Sequence, residues 1–280
     1  MNLKSKSLRI LLYITLVFSA VIFLMPIVWG IVSSFRTHEN IFEYVSPLGW
    51  KTFLPVSPTL ENYFSIFERF PLHFFLGNSV LMAFTSVVVG LFLGGLAAYS
   101  LARFDYPGKN LFFLIVILSL LMPFKVLVIP LYILVDSFGW VDTYQGLIFP
   151  VIMDGMTIFI LRQFFIEIPD SLEEAAIIDG ASHFQIFFRI MLPLAKPAFI
   201  TAGLLQFIRV WNTFFWPLVI TNSNEMTVFQ VGLSFYQNEF QPAWGDLLAA
   251  STVGMVPLLI IFLLLQRYYI KGIALSGMKT

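Results

Sequence analysis

Six apolar runs, at roughly 10–33, 75–101, 111–135, 146–165, 197–220 and 247–266, dominate this chain of 280 residues. Each comes near the ~20 residues that a helix needs to cross the ~30 Å hydrocarbon layer of a bilayer. Inside that layer every backbone amide must be satisfied by the segment itself or by a closed barrel. Barrel strands alternate polar and apolar side chains, whereas these runs are apolar on all faces. The expectation is an all-α polytopic membrane protein with six transmembrane helices. A content of 59% hydrophobic and 11% charged residues excludes a water-soluble globule of this length.

The first ten residues, MNLKSKSLRI, have the basic character of a signal peptide. The apolar run continues to about Val32 with no small-residue cleavage site after a short core, which predicts a retained first transmembrane helix. Orientation follows from the basic residues. With the N-terminus inside, the inner segments hold Lys4, Lys6, Arg9, Arg103, Lys109, Arg162, Arg189, Lys196, Arg267, Lys271 and Lys279, against Arg36, Lys51 and Arg69 outside. That bias places both termini in the cytoplasm. It divides the chain into residues 1–34 (N-terminal segment and first helix), an extracytoplasmic loop at 35–74 and a membrane core at 75–280. The loop's four prolines, Pro47, Pro55, Pro58 and Pro71, predict an ordered irregular cap. There is no cysteine, so disulfides and thiolate chemistry are excluded. His38, His73 and His183 are too scattered for a metal site, and no metal or nucleic acid is expected.

Between the fourth and fifth spans, within the loop 166–197, lies the longest segment of the C-terminal half with little uninterrupted apolar character, PDSLEEAAIIDGASHFQIFFRIMLPLAKP from Pro169 to Pro197. Ser171 and Glu174 are spaced as a capping box, predicting a helix from about Leu172. Gly180 should end it, since glycine adopts the positive φ of a helix stop. A second helix is expected from about Ser182 to Ile190, broken by Pro193 and Pro197 before the fifth span. Two readings of this cytoplasmic pair stand side by side. It docks on a soluble protein, or it lies as an amphipathic hairpin on the headgroups. Anionic headgroups would repel its acidic first helix, which favours the first.

Lys125, Asp154, Arg209 and Asn212 fall within the spans, where a mid-helix charge costs ~2.5–3.5 kcal/mol. Either Asp154 forms a structural pair with Lys125 or Arg209, or one cation lines a solute path, with Arg209 one turn from Asn212 as the leading candidate. Trp211, with Phe214, Phe215 and Trp216, offers faces for stacking on a sugar ring or for interfacial packing. Pro217 is expected to kink the fifth span. Gly90 and Gly94 match a GxxxG helix-packing face, for which packing within the chain is the ordinary explanation.

Glu174-Ala175-Ala176, followed by Gly180, Ile190 and Leu192-Pro193, resembles the complete EAA signature of permease subunits of bacterial ATP-driven importers. The flanking segments are similar to the carbohydrate-uptake, maltose-permease-like branch. These are NSV at 78–80, AAYSLARFDYPGKN at 97–110, IPLY at 129–132, IPDSLEEAAIIDGAS at 168–182, WNTFFWPL at 211–218 and YIKGIALSGMKT at 269–280. The likeness runs from about Pro58 onward. It implies that the hairpin, through Glu173, Glu174, Ala175, Ala176, Asp179, Gly180, Ile190, Leu192 and Pro193, couples to a separate ATPase that binds ATP and magnesium. Glu174 would pair there with a basic residue. It also implies a homologous permease partner, two ATP-binding subunits, an extracytoplasmic solute-binding protein and residence in the bacterial inner membrane. The solute path would draw on Lys125, Asp154, Arg209, Trp211 and Asn212. The family usually carries small or neutral residues at Arg209 and Asp154, so an anionic solute such as a glycerol phosphate stands beside a neutral sugar. The chain has no GxxxxGK[ST] loop, so it is not itself expected to hydrolyse ATP or to hold a cofactor. Two alternatives are an ion-coupled transporter with Lys125 and Asp154 as a relay, and, less well supported, a membrane enzyme using the hairpin carboxylates.

Overall fold

A computed structural model describes residues 6–46, 49–54, 56–237 and 243–276, with the side chains of Ser7 and 267–276 left aside. Lys4, Pro47, Pro55, Gly277 and Lys279, which figured in the expectations, lie outside the described residues, as do the side chains of Arg267 and Lys271. No strand occurs among the described residues. Among the described residues four helical stretches are long and apolar enough to cross a membrane, one of them, Tyr144–Glu167, running through a two-residue interruption, and up to six spans result if each of two bent pairs counts as one.

The chain forms two compact units, residues 1–72 with 232–256, and 73–231 with 257–280. In the first, α1 (Lys6–Ser34) presents apolar side chains outward along nearly its whole length, as a lipid-facing helix does. After it the chain turns around Arg36, which is fully buried and donates to the carbonyls of Lys51, Thr52 and Leu54. Helix α2 (Glu61–Arg69) is tied down by Asn62, whose amide donates to the Ser34 and Arg36 carbonyls at 2.8 Å each. Asp246 accepts from Ser65 and Arg69, both at 2.8 Å.

The second unit is organised on α3 (Leu72–Arg103). Then follow α4 (Lys109–Leu121), α5 (Phe124–Ser137), α6 (Tyr144–Ile152), α7 (Gly155–Glu167), α8 (Asp170–Ile178), α9 (His183–Leu194), α10 (Lys196–Trp211), α11 (Phe215–Ile220) and α12 (Phe229–Phe235). Helix α13 (Trp244–Ser276) closes the chain. The division between units cuts α12 after Val231 and α13 after Val256. Aromatic and small side chains of α3, α7, α9 and α10, among them Tyr99, Phe165, Phe187 and Ala198, form the buried core. The GxxxG face is consumed within the chain: a Cβ on Gly90 would lie 2.5 Å from the Ile152 carbonyl.

Three expected spans differ from continuous helices. The third, 111–135, bends by 107° between α4 and α5. Pro123 has no N–H to donate and disfavours helical geometry at Met122, which is extended with ψ 120°. The fourth, 146–165, is interrupted at Met153-Asp154 because Asp154 caps α7, accepting from the Met156 amide at 3.3 Å. The fifth, 197–220, breaks at Asn212–Phe214 between α10 and α11. Pro217 therefore lies in the first turn of α11, where a missing amide proton costs nothing, rather than at a kink inside a span.

The turn from α5 to α6 is pinned by Asp142, held at φ 56°. Its amide donates to the Ile220 carbonyl at 2.8 Å, and its carboxylate accepts from the Asn222 and Ser223 amides at 2.9 and 3.1 Å. Partial burial acts to raise its pKa, but these hydrogen bonds outweigh it and hold the group below the ordinary aspartate value. A depressed folded-state pKa stabilises the fold above the unfolded value, and that contribution is lost as pH falls through the folded one. Asp142→Asn is expected to cost about 1 kcal/mol at neutral pH, read as a lower melting temperature of the purified protein in detergent. The gap between variant and wild type should close as pH falls below the ordinary aspartate range and through the depressed folded-state pKa of Asp142.

Candidate functional site

Two features of the second unit gather the singled-out residues: the α8–α9 hairpin and the level at which three membrane helices break.

Helix α8 begins at Asp170, two residues earlier than expected, with Pro169 at the N-cap and no side-chain cap. The Ser171–Glu174 capping box does not form. Arg103, at the C-terminal end of α3, instead draws the first turn inward through a contact with Asp170 and a hydrogen bond to the Ile168 carbonyl. The box that forms is Ser182 with Gln185: the Gln185 side chain accepts from the Ser182 amide at 2.8 Å, and Ser182 Oγ from the Gln185 amide at 3.4 Å. Its S-x-x-Q pattern was available in the sequence. Between the helices, Gly180 at φ 82° makes a Schellman stop, with Ala181 N–H donating to the Ala176 carbonyl and Gly180 N–H to that of Ile177, both at 2.9 Å.

Helix α9 does not end near Ile190. It runs through Pro193 to Leu194 and then bends by 80° into α10. Pro193 is accommodated because the turn Phe187–Met191 widens to π geometry, with Leu192 N–H reaching the Phe187 carbonyl. That widening relieves the clash a proline ring makes with the carbonyl four residues back. Pro197 sits in the first turn of α10, a position proline tolerates.

The two adjacent glutamates have opposite surroundings. Glu173 is 8% exposed. It accepts from Tyr99 Oη at 2.5 Å and lies 3.3 Å from Arg103 Nε, so the hairpin is clamped to α3 by a buried charge pair. His183 Nδ1, at 3.9 Å, is too far for a hydrogen bond. Glu174 is exposed, as are Ala175 and Asp179, while Ala176 and Met191 are buried against the core. Ile190 and Leu192 are half-buried and Pro193 is exposed. At the tip, Ile178 is 85% and Phe184 65% exposed. Tyr99 and Arg103, four residues apart on α3 within the 97–110 segment, have no site role in the sequence beyond the inner position of Arg103; their i,i+4 spacing on one helix face is the available signal.

Twenty ångströms away along the helices lies the second feature. Helices α4 and α7 have 13 residues each and α10 has 16, so at 1.5 Å per residue their breaks stand about 20–24 Å from the hairpin side. There Arg209 Nε lies 3.6 Å from Asp154 Oδ2 and Nη2 donates to the Val151 carbonyl at 3.1 Å. Gln206, one turn earlier on α10, is fully buried and donates to the Ile152 and Ser86 carbonyls at 2.9 and 2.7 Å. The interruption of α6 frees its last carbonyls, and two side chains on one face of α10 satisfy them. Asn212 caps α10, its amide donating to the Ile208 carbonyl at 2.7 Å, and accepts from Gln230 at 3.3 Å. Asp154 thus pairs with Arg209 and not with Lys125, whose ammonium stands 6.0 Å from the Phe215 ring. Trp211 is 2% exposed, stacked between Phe207 and Phe229, so its ring offers no free face. Among the described residues no cluster of His, Asp and Glu is arranged to hold a metal ion.

Residues 90–274 match the family described as "Binding-protein-dependent transport system inner membrane component". The chain is 36% identical, over 96% of both chains, to the arabinooligosaccharides transport system permease protein AraQ of Halalkalibacterium halodurans. It is 34% identical, over 97% of both, to the trehalose/maltose transport system permease protein MalG of Thermococcus litoralis. Its fold is that of a solved bacterial ABC transporter involved in the import of the acidic polysaccharide alginate, with a TM-score of 0.83 at 24% identity over 96% of this chain and 100% of that one.

Proposed function

From the premise that the chain belongs to the family of inner membrane components of binding-protein-dependent transport systems, we propose that it moves a sugar or sugar-like solute inward by alternating access, driven by a separate ATPase. It is a multi-pass membrane subunit and not an enzyme in its own right. A binding protein delivers the solute outside, a homologous permease completes the path, and two ATP-binding subunits grip the hairpin inside, with both termini on that same side. The names of the arabinooligosaccharide and trehalose/maltose transport relatives support a saccharide-like solute.

The observation that carries this reading is the exposed tip of the hairpin. Ile178 and Phe184 leave apolar surface uncovered beside the exposed carboxylate of Glu174, while Glu173 fixes the same helix to α3. Covering a side chain such as Ile178 stabilises a complex by about 1.5–3 kcal/mol, and a clamped hairpin passes a partner's movement to α3 and α10. Glu174, Ala175, Asp179 and Gly180 belong to the proposed docking surface. Ala176, Ile190, Leu192 and Pro193 shape the helices behind it. Lys125, Asp154, Arg209 and Asn212 surround the proposed path, and Trp211 supports it from behind.

The reading is tested in liposomes. With both ATPase subunits and the binding protein present, uptake should require internal ATP and ignore an imposed proton gradient. Uphill uptake by the purified chain alone, or uptake that follows the proton gradient, supports the ion-coupled alternative instead.

A further inference from the structure

The charges at the level of the helix breaks do not balance. Arg209 is matched by Asp154 and engaged with the Val151 carbonyl. Lys125, in the first turn of α5, has no carboxylate within ion-pair distance among the described residues, and its ammonium lies over the face of Phe215. The other carboxylates on these helices, Asp136 and Glu167, stand at the far ends of α5 and α7, a dozen residues from the breaks. Because α4 carries Lys125 about 20 Å into the membrane, the ammonium cannot be left against lipid without the several-kcal/mol cost of an intramembrane charge. It lies beyond snorkelling reach of the hairpin side and, in a layer of ~30 Å, about 10 Å below the outer one, so a hydrated space opening outward is where the charge costs least. This subunit's share of the path carries one surplus positive charge, which favours an occupant that supplies the negative one.

Resting on the importer reading above, we infer that the solute carries a fixed negative charge, as a carboxylate, phosphate or sulfonate, and that Lys125 is the group that meets it. Arg209, the leading candidate from the sequence, is a brace for α6 and α7. Phe215, over which the ammonium sits, supplies an apolar wall that keeps the charge interaction from being diluted by bulk water.

The absence of cysteine from the chain gives a direct test. In the assembled importer, Phe215→Cys places a single thiol beside Lys125, and its labelling by negatively charged (ethylsulfonate) and positively charged (trimethylammonium) methanethiosulfonates is followed by the mass of this chain. The anionic reagent should react about tenfold faster than the cationic one, normalised to each reagent's rate on free thiol. The preference should disappear on adding Lys125→Gln and persist with Lys125→Arg. Val126→Cys, next to the ammonium, repeats the measurement should Phe215→Cys fail to assemble. In parallel, the solute retained by the cognate binding protein is released and its charge read by mass spectrometry; an acidic solute is expected. Equal rates for both reagents, no labelling at either thiol, or a neutral solute each overturn the inference. None of these touches the importer reading, which stands or falls on the ATP requirement of uptake.

Discussion

Replacing Glu173 with leucine is expected to destabilise the chain by about 3 kcal/mol, the low end of the cost of breaking a buried ion pair. Replacing Glu174 with alanine, one residue on, should leave stability within about 0.5 kcal/mol of wild type. The difference follows from what each carboxylate touches. Removing Glu173 leaves Arg103, whose side chain is 8% exposed, with a solvent-facing partner in Asp170 and a single carbonyl, and leaves Tyr99 Oη without its acceptor. The surviving Asp170 contact is why the loss falls at the low end. Among the described residues the exposed Glu174 carboxylate has no ion-pair or hydrogen-bond partner. Its loss should appear in function, as a fall of about tenfold or more in ATP-driven uptake, since truncating one side of an interfacial charge pair costs 2–5 kcal/mol. Melting temperature in detergent and uptake in liposomes separate the two roles. If both variants lose stability equally, or if Glu174→Ala transports normally, the division of labour between the adjacent glutamates is wrong.

The membrane character, the helical class and the hairpin were legible because they depend on local rules. Long apolar runs leave a chain no choice but helix in lipid, and Gly180 marks a stop wherever it follows two helical turns. Hydropathy counts residues and is blind to where a helix breaks, so 111–135 reads as one span although Pro123 turns it by 107°. The same blindness hides Asp154: an acidic residue followed by glycine within an apolar run reads as a charge in search of a counter-ion, and it is also an N-cap. Which of Glu173 and Glu174 faces inward depends on where α8 starts. That start is set by Arg103, some 67 residues earlier in the chain, and no local pattern contains it. Gln206 escaped notice for the same reason, its partners being carbonyls on α3 and α6 that only the packed helices bring near.

Gln206 is the position where these long-range dependencies concentrate, and Gln206→Leu should be the most damaging single change that keeps side-chain volume. Its amide nitrogen supplies both protons, one to Ile152 at the interrupted end of α6 and one to Ser86 on α3. The Ile152 carbonyl, freed at the end of α6, would lose its donor at a cost of about 1–3 kcal/mol, and the Ser86 carbonyl, which keeps its bond within α3, would lose a second hydrogen bond worth about 0.5–1.5, so a loss of about 1.5–4.5 kcal/mol is expected. The Thr157 hydroxyl would also lose its acceptor at 3.3 Å. A glutamate cannot rescue the site, since a carboxylate accepts only and would face two carbonyl oxygens. Arg209→Met should be milder, because Arg209 is partly exposed and water can reach the Val151 carbonyl in its place. The ordering Gln206→Leu worse than Arg209→Met, read from melting temperature and from the amount of folded chain extracted from membranes, is the prediction. The reverse ordering would mean that the break between α6 and α7 is held open by the charge pair with Asp154, with hydrogen bonding from α10 secondary. In that case the ion pair, and not the amide, would set the geometry around the proposed path.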